Sequence, residues 1–275
     1  MKRLAALLLA AALTAGLCAC NKTPGSENAT EKAAIVQEVS STNKELVKAN
    51  FDKAVAFVES AIDTKDMMSR DNEDEFCMYR DWSYEETENT ELPDTIEVNG
   101  KTITIGKTTV KGLNELGMKL EKSMEKVPPQ TGTAVNLIDD SKTFLLNVDN
   151  GTDKTLDIDD MTITGFTTGF KDYTLPYSYS GINYDSTVED VISKLGKPNS
   201  NITVDANDQS ATITINYIND VTEGKTVTTD NVSVAFNYDP AKDTAALSSL
   251  NYSRNTGVIT DEPVSEAASE SVTEK

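Results

Sequence analysis

Apolar and polar residues alternate with a period of two along 213–218, 232–238 and 247–253. Successive side chains on a strand point to opposite faces, so this pattern sends one row into a core and the other toward water. One face would carry Ile213, Ile215, Tyr217, Val232, Val234, Phe236, Leu250 and Tyr252. The other would carry Thr212, Thr214, Asn216, Ser233, Ala235, Asn237, Asn251 and Ser253. A parallel sheet covered on both sides would read as continuous apolar runs instead. The pattern therefore predicts antiparallel strands with one covered face.

A short helix precedes these strands. Ser186-Thr187-Val188-Glu189 reads as a capping box, with Ser186 as N-cap and Glu189 at N3. Val188, Val191, Ile192 and Leu195 form one apolar stripe. Gly196 suits the position after the helix, and Pro198 blocks its continuation. A related order occurs earlier. Residues 96–98 and 103–105 flank Asn99-Gly100, a type I′ hairpin signal. Val110, Leu113 and Leu116 then mark a short helix stopped by Gly117, and strand-like runs follow at 134–138, 144–148 and 161–166. Matching Thr109-Val110 to Thr187-Val188 gives an offset of 78, and Leu116-Gly117 to Leu195-Gly196 gives 79. One residue of gap reconciles them, which suggests an internal duplication.

Upstream, Val47, Phe51, Ala54, Val55, Val58 and Ile62 share one face of a helix over about 35–62. The acidic stretch 63–93 holds the single tryptophan, Trp82, and a short strand is expected over 76–82. The expected fold class is thus α+β: an N-terminal helix, then two repeated modules, each a short helix packed on a small antiparallel sheet. The expected boundaries are 34–93 for the helix and acidic segment, 94–170 for module 1 and 171–256 for module 2, with a disordered acidic tail at 257–275.

The run from Asp185 through Leu195-Gly196-Lys197-Pro198 resembles the helix and stop of BamE/SmpA-like and β-lactamase-inhibitor-protein-like domains. Residues 105–117 look like a divergent copy, and the whole resembles lipoproteins common in Firmicutes. That resemblance implies tandem modules of helix on sheet. It also implies a binding role, either inhibiting an enzyme or bridging envelope components, and it supplies no catalytic residues.

The first twenty residues carry an address. Met1-Lys2-Arg3 is a basic n-region, and 4–17 is an apolar run too short to span a bilayer. Leu17-Cys18-Ala19-Cys20 resembles the bacterial lipobox, with cleavage before Cys20 and lipid on its thiol. The expected signal peptide is 1–19, and 20–33 is a flexible tether. The chain is then held to the cell membrane at its extracytoplasmic face by the lipid on Cys20, with at least two acyl chains for a stable anchor.

Loss of Lys2 and Arg3 would take the net charge from −20 to −22. Such a chain is repelled by phosphate backbones, so no nucleic-acid partner is expected. Cys77 would be the one cysteine free of processing, so no intrachain disulfide is expected in the mature form. No histidine occurs, which removes Ser-His-Asp and Cys-His catalysis and the commonest zinc ligand. Ser41 to Lys44 and Ser123 to Lys126 both read S-x-x-K, without the companion motifs of penicillin-binding enzymes. Acidic clusters lie at 71–75, 139–140 and 149–160, and the last fits no register of a calcium loop.

No catalytic residue, metal ligand or cofactor is expected. The function expected is that of a non-catalytic envelope lipoprotein that binds or scaffolds another protein through a sheet surface. Thr214, Asn216, Ser233 and Asn237 are the candidate partner face. A surface enzyme or a solute-binding lipoprotein using acidic residues is the alternative.

Overall fold

A computed structural model describes residues 26–73, 77–86 and 88–258. Cys20 and the expected signal peptide lie outside these residues, as does 259–275 of the expected tail. The chain divides into two compact units, 1–45 and 46–275. The described part of the first, 26–45, is helical throughout. It belongs to helix α1, Ser26–Ala61, which continues into the second unit.

In the second unit Val47, Phe51, Ala54, Val55, Val58 and Ile62 are all buried, as their helical spacing requires. Phe57 sets its ring 5.2 Å from that of Tyr238, fixing this part of α1 against the sheet.

That sheet overturns the expected fold class. Among the described residues fifteen strands stand against three α-helices, so the protein is mostly β. Ten strands form one antiparallel sheet. They are β1 (Met68–Glu73), β2 (Met78–Ser83), β5 (Leu120–Lys122), β7 (Thr131–Asp139) and β8 (Lys142–Asn150), with β10 (Ile163–Thr167), β12 (Asn201–Ala206), β13 (Ala211–Glu223), β14 (Thr226–Asp239) and β15 (Thr244–Val258). Their order is β1-β2-β12-β13-β14-β15-β10-β8-β7-β5. Two short helices, α2 (Val110–Glu115) and α3 (Val188–Leu195), each precede a run of four of these strands.

The runs do not close as separate small sheets. β10 pairs with β15 in register Phe166↔Tyr252, so the edge of one run becomes the neighbour of the other. The acidic segment then extends the sheet further, because β2 pairs with β12 along its whole length and β1 pairs with β2. Each edge that finds a partner satisfies backbone groups that would otherwise face water unpaired.

A three-stranded sheet of β3 (Thr95–Val98), β4 (Lys101–Thr104) and β11 (Tyr177–Ser178) lies over the covered side. Asn99 and Gly100, with φ of 49° and 71°, make the hairpin turn between β3 and β4. An aromatic layer joins the two sheets: Phe166 stands 5.6 Å from Tyr179 and 5.8 Å from Tyr252, and Phe144 stands 5.8 Å from Tyr177. A two-stranded ribbon, β6 (Lys126–Val127) with β9 (Leu156–Asp157), completes the strands.

The α3 cap lies one residue later than expected. Thr187 is the N-cap, accepting from Asp190 N at 3.2 Å, and Asp190 accepts from Thr187 N at 2.9 Å. Ser186 is turned inward and accepts from Asn183 N at 3.1 Å, closing the preceding turn. With its hydroxyl committed there, the neighbouring threonine caps the helix. Val188, Val191 and Leu195 are buried, whereas Ile192 is only half-buried. Gly196, at φ 85°, ends the helix, and its carbonyl accepts from the Tyr217 hydroxyl at 3.2 Å.

Candidate partner face

The pleat of β13, β14 and β15 sorts their residues as the alternation demands. Ile213, Ile215, Tyr217, Val232, Val234, Phe236, Leu250 and Tyr252 are buried on the covered side. Thr214, Asn216 and Ser233 are half-buried on the opposite face, and Asn237 is exposed there. Asn216 faces Ser233 directly, Thr214 faces Ala235, and Asn237 faces Thr212. The four candidates therefore share one face, yet only Asn216 and Ser233 pair directly across the ladder.

These two line a groove of about 360 Å³ together with Asn147, Thr167, Asn201 and Asn251. Thr214 and Asn237 lie outside it. The groove crosses the seam between β15 and β10, which explains why residues from both halves of the sheet contribute to it. No charged side chain lines it. Asn201 donates from Nδ2 to Asp81 Oδ1 at 3.1 Å, and Asn216 donates from Nδ2 to Asn201 Oδ1 at 2.9 Å. This relay fixes the orientation of the Asn216 amide and uses one of its two Nδ2 hydrogens. Oδ1 of Asn251 is buried without a partner, an arrangement that costs free energy unless a ligand group or water supplies a donor. Charge begins at the border with β2, where burial and the nearby Asp81 and Asp205 raise the Tyr79 hydroxyl above its ordinary pKa. The face can accept and donate hydrogen bonds. Among the groove-lining residues it offers no acid, base or nucleophile pair.

The chemical motifs resolve into structure. Ser123 shares a hydrogen bond with Thr133 Oγ1 at 2.6 Å and donates to Ala134 O at 3.2 Å, so its hydroxyl serves strand packing. The 149–160 loop is organised by the fully buried Asn150, which donates to Val127 O, Pro128 O and Lys154 O and accepts from Thr152. Among the described residues no group of three or more His, Cys, Asp or Glu is placed to hold a metal. Trp82 is 3% exposed and belongs to the core, so the only tryptophan offers no binding surface.

Sequence reasoning missed two features. Asp230 and Arg254 form a shielded ion pair at the covered side of β14 and β15, although alternation alone would place an apolar residue at 230. Phe170 and Tyr173 stand in solvent, although aromatic residues between strands read as core.

No protein-family model, curated protein or solved structure matches the chain. Among the described residues no helix is long and apolar enough to cross a membrane.

Proposed function

We propose that the chain is a lipid-anchored envelope protein without catalytic activity, which binds another protein through the open face of its large sheet. The reading rests on one observation: in a chain of net charge −20, no charged residue lines the groove across the open face, which is bordered mainly by asparagine, serine and threonine with Val232 among them. A surface that serves only solubility has no reason to collect its charges elsewhere. Uncharged amides can be desolvated at far lower cost than ions, which suits an interface. The buried acceptor of Asn251 gives a partner's donor a place to gain by binding.

The anchor reading rests on 1–20, where Leu17-Cys18-Ala19-Cys20 resembles a lipobox. Loss of fatty-acid labelling in Cys20→Ala would support it. The partner reading is tested by photo-crosslinking in cells from Ser233, followed by capture with Asn216→Lys and Asn237→Lys. Asn237 is exposed, so Asn237→Lys leaves the fold intact, and weakened capture by that folded variant supports the interface. Equal capture by both folded variants would place the binding surface elsewhere.

A further inference from the structure

The turn between β10 and β11 holds two aromatic rings in water. Phe170 is 80% exposed and Tyr173 66%, far above the usual fate of such side chains. The turn is well braced. Tyr173 N donates to Phe170 O at 3.0 Å, and Thr174 Oγ1 donates to the same oxygen at 2.9 Å. The Tyr184 hydroxyl donates to Gly169 O, and Lys171 Nζ meets Asp185 at 2.5 Å. Each end is tied to the large sheet: Leu250 N donates to Thr168 Oγ1 at 2.7 Å and Leu175 N to Thr143 O at 3.0 Å. The backbone under the two rings is thus fixed before any partner arrives, which lowers the ordering cost of binding.

The same end of the sheet carries a small cavity of about 130 Å³ lined by Met118, Leu137, Ile138 and Leu175, with the exposed Lys101 and Lys119 beside them. Ile138 faces Thr143 across the ladder of β7 and β8, and Thr143 bridges to Thr174 in the turn. An apolar cavity of roughly 150 Å³ is large enough to take up benzene. This one is of similar size but open to solvent, with Asn99, Lys101, Lys119 and Asp139 in its rim beside the apolar residues. Phe170 of the same chain does not fill it, being in solvent.

Charge sorts the two features in opposite senses. Around the rings the acids Asp172 and Asp185 outnumber Lys171, which pairs with Asp185 and leaves Asp172 as the surplus charge. At the cavity Lys101 and Lys119 outnumber the one lining acid, Asp139, which also accepts from Asn99 Nδ2 at 3.2 Å. In a chain of net charge −20, a rim with one surplus lysine is a local complement to an aromatic prong with one surplus acid.

We propose that the Phe170 prong of one copy seats in the Leu137/Ile138/Leu175 cavity of a second copy, and the reverse, about a two-fold axis. A knob and its own socket on one surface are self-complementary, which is what an isologous contact requires. Two rings per copy make a small contact, so the dimer is a transient one. It uses a surface other than the partner face and does not depend on that reading.

The test uses the full chain co-expressed in cells with two different tags, with p-benzoylphenylalanine in place of Phe170 in one copy. Irradiation should join it to the other tagged copy, through a peptide carrying Met118, Leu137, Ile138 or Leu175. Lys101→Glu with Lys119→Glu should lower that product about tenfold, and adding Asp172→Lys should restore it. The proposal is overturned by products lacking the second tag, whether joined to lipid or to another protein. It is also overturned by attachment outside the cavity, or by a yield indifferent to the charge reversal.

Discussion

Arg254 grips Asp230 with two parallel hydrogen bonds, Nε to Oδ1 at 2.7 Å and Nη2 to Oδ2 at 2.9 Å. The Asp230 side chain is 5% exposed. Two further donors are used: Nη1 reaches Ile105 O at 2.8 Å, and Nη2 lies 3.2 Å from the Tyr252 hydroxyl. The aspartate hydrogen bond, ahead of burial, keeps the guanidinium pKa above its ordinary value. The pair ties β14 and β15 to the loop after β4, where Gly106 leaves room for it. A Cβ at Gly106 would stand 2.6 Å from Nη1.

Arg254→Met should therefore cost about 3–5 kcal/mol, because it strands a buried carboxylate. The double variant Asp230→Leu with Arg254→Met should recover most of that loss, since no charge is then left unpaired. Urea unfolding followed by circular dichroism measures both. A double variant as unstable as the single one would mean that packing, and not charge, sets the cost.

Gly165 sits at the seam between β10 and β15. A Cβ there would come within 2.2 Å of Tyr252 O, a backbone atom that cannot swing aside. Gly165→Ala should lower stability by about 1–3 kcal/mol, as overpacking does. Gly151→Ala, with open space around its Cβ and no positive φ, serves as the control. Equal melting temperatures for the two variants would show that the seam yields at no cost.

That seam marks where sequence reasoning stops. The alternation at 213–217 reports which face of a strand is buried, because burial acts on each residue separately. It does not report which edge meets which, so a join between Phe166 and Tyr252 leaves no trace in either strand. β2 was hard to read for a different reason. Arg80 stands on the covered side, its guanidinium 5.5 Å from the Phe51 ring and 5.4 Å from the Trp82 ring. A charge placed there hides the alternation. In the candidate face the amide pattern was legible residue by residue. The groove was not, since it combines Asn147 and Thr167 with Asn216 across that same unpredicted seam.

The α3 stripe gives a sharper test than its apolar pattern suggested. Val191 is fully buried and Ile192 only half-buried. Val191→Ala removes two carbons at about 0.8 kcal/mol each and leaves a cavity, so it should cost about 2–3 kcal/mol. Ile192→Ala removes more carbon but should cost less, because much of that surface already meets water. Thermal unfolding of the two variants decides the order, and the reverse ranking would contradict the orientation of α3.

The edge strand β1 should loosen in acid. Asp71 faces Arg80 across the β1–β2 ladder and accepts from its Nε at 2.6 Å and its Nη2 at 2.7 Å. That hydrogen bond, outweighing partial desolvation, lowers the Asp71 pKa below its ordinary value. A carboxylate with a lowered folded pKa stabilises the fold fully above its unfolded pKa of about 3.9, and loses this contribution as pH falls through the folded value. Both partners touch solvent, so the pair contributes about 1 kcal/mol or less. Amide exchange in 68–73 should accelerate as pH drops below about 4, relative to the buried strand 211–217 under the same conditions. Asp71→Asn should raise exchange in β1 at neutral pH and flatten its further change toward acid. If the wild type and Asp71→Asn showed the same relative acceleration, the ion pair would have no part in holding the edge.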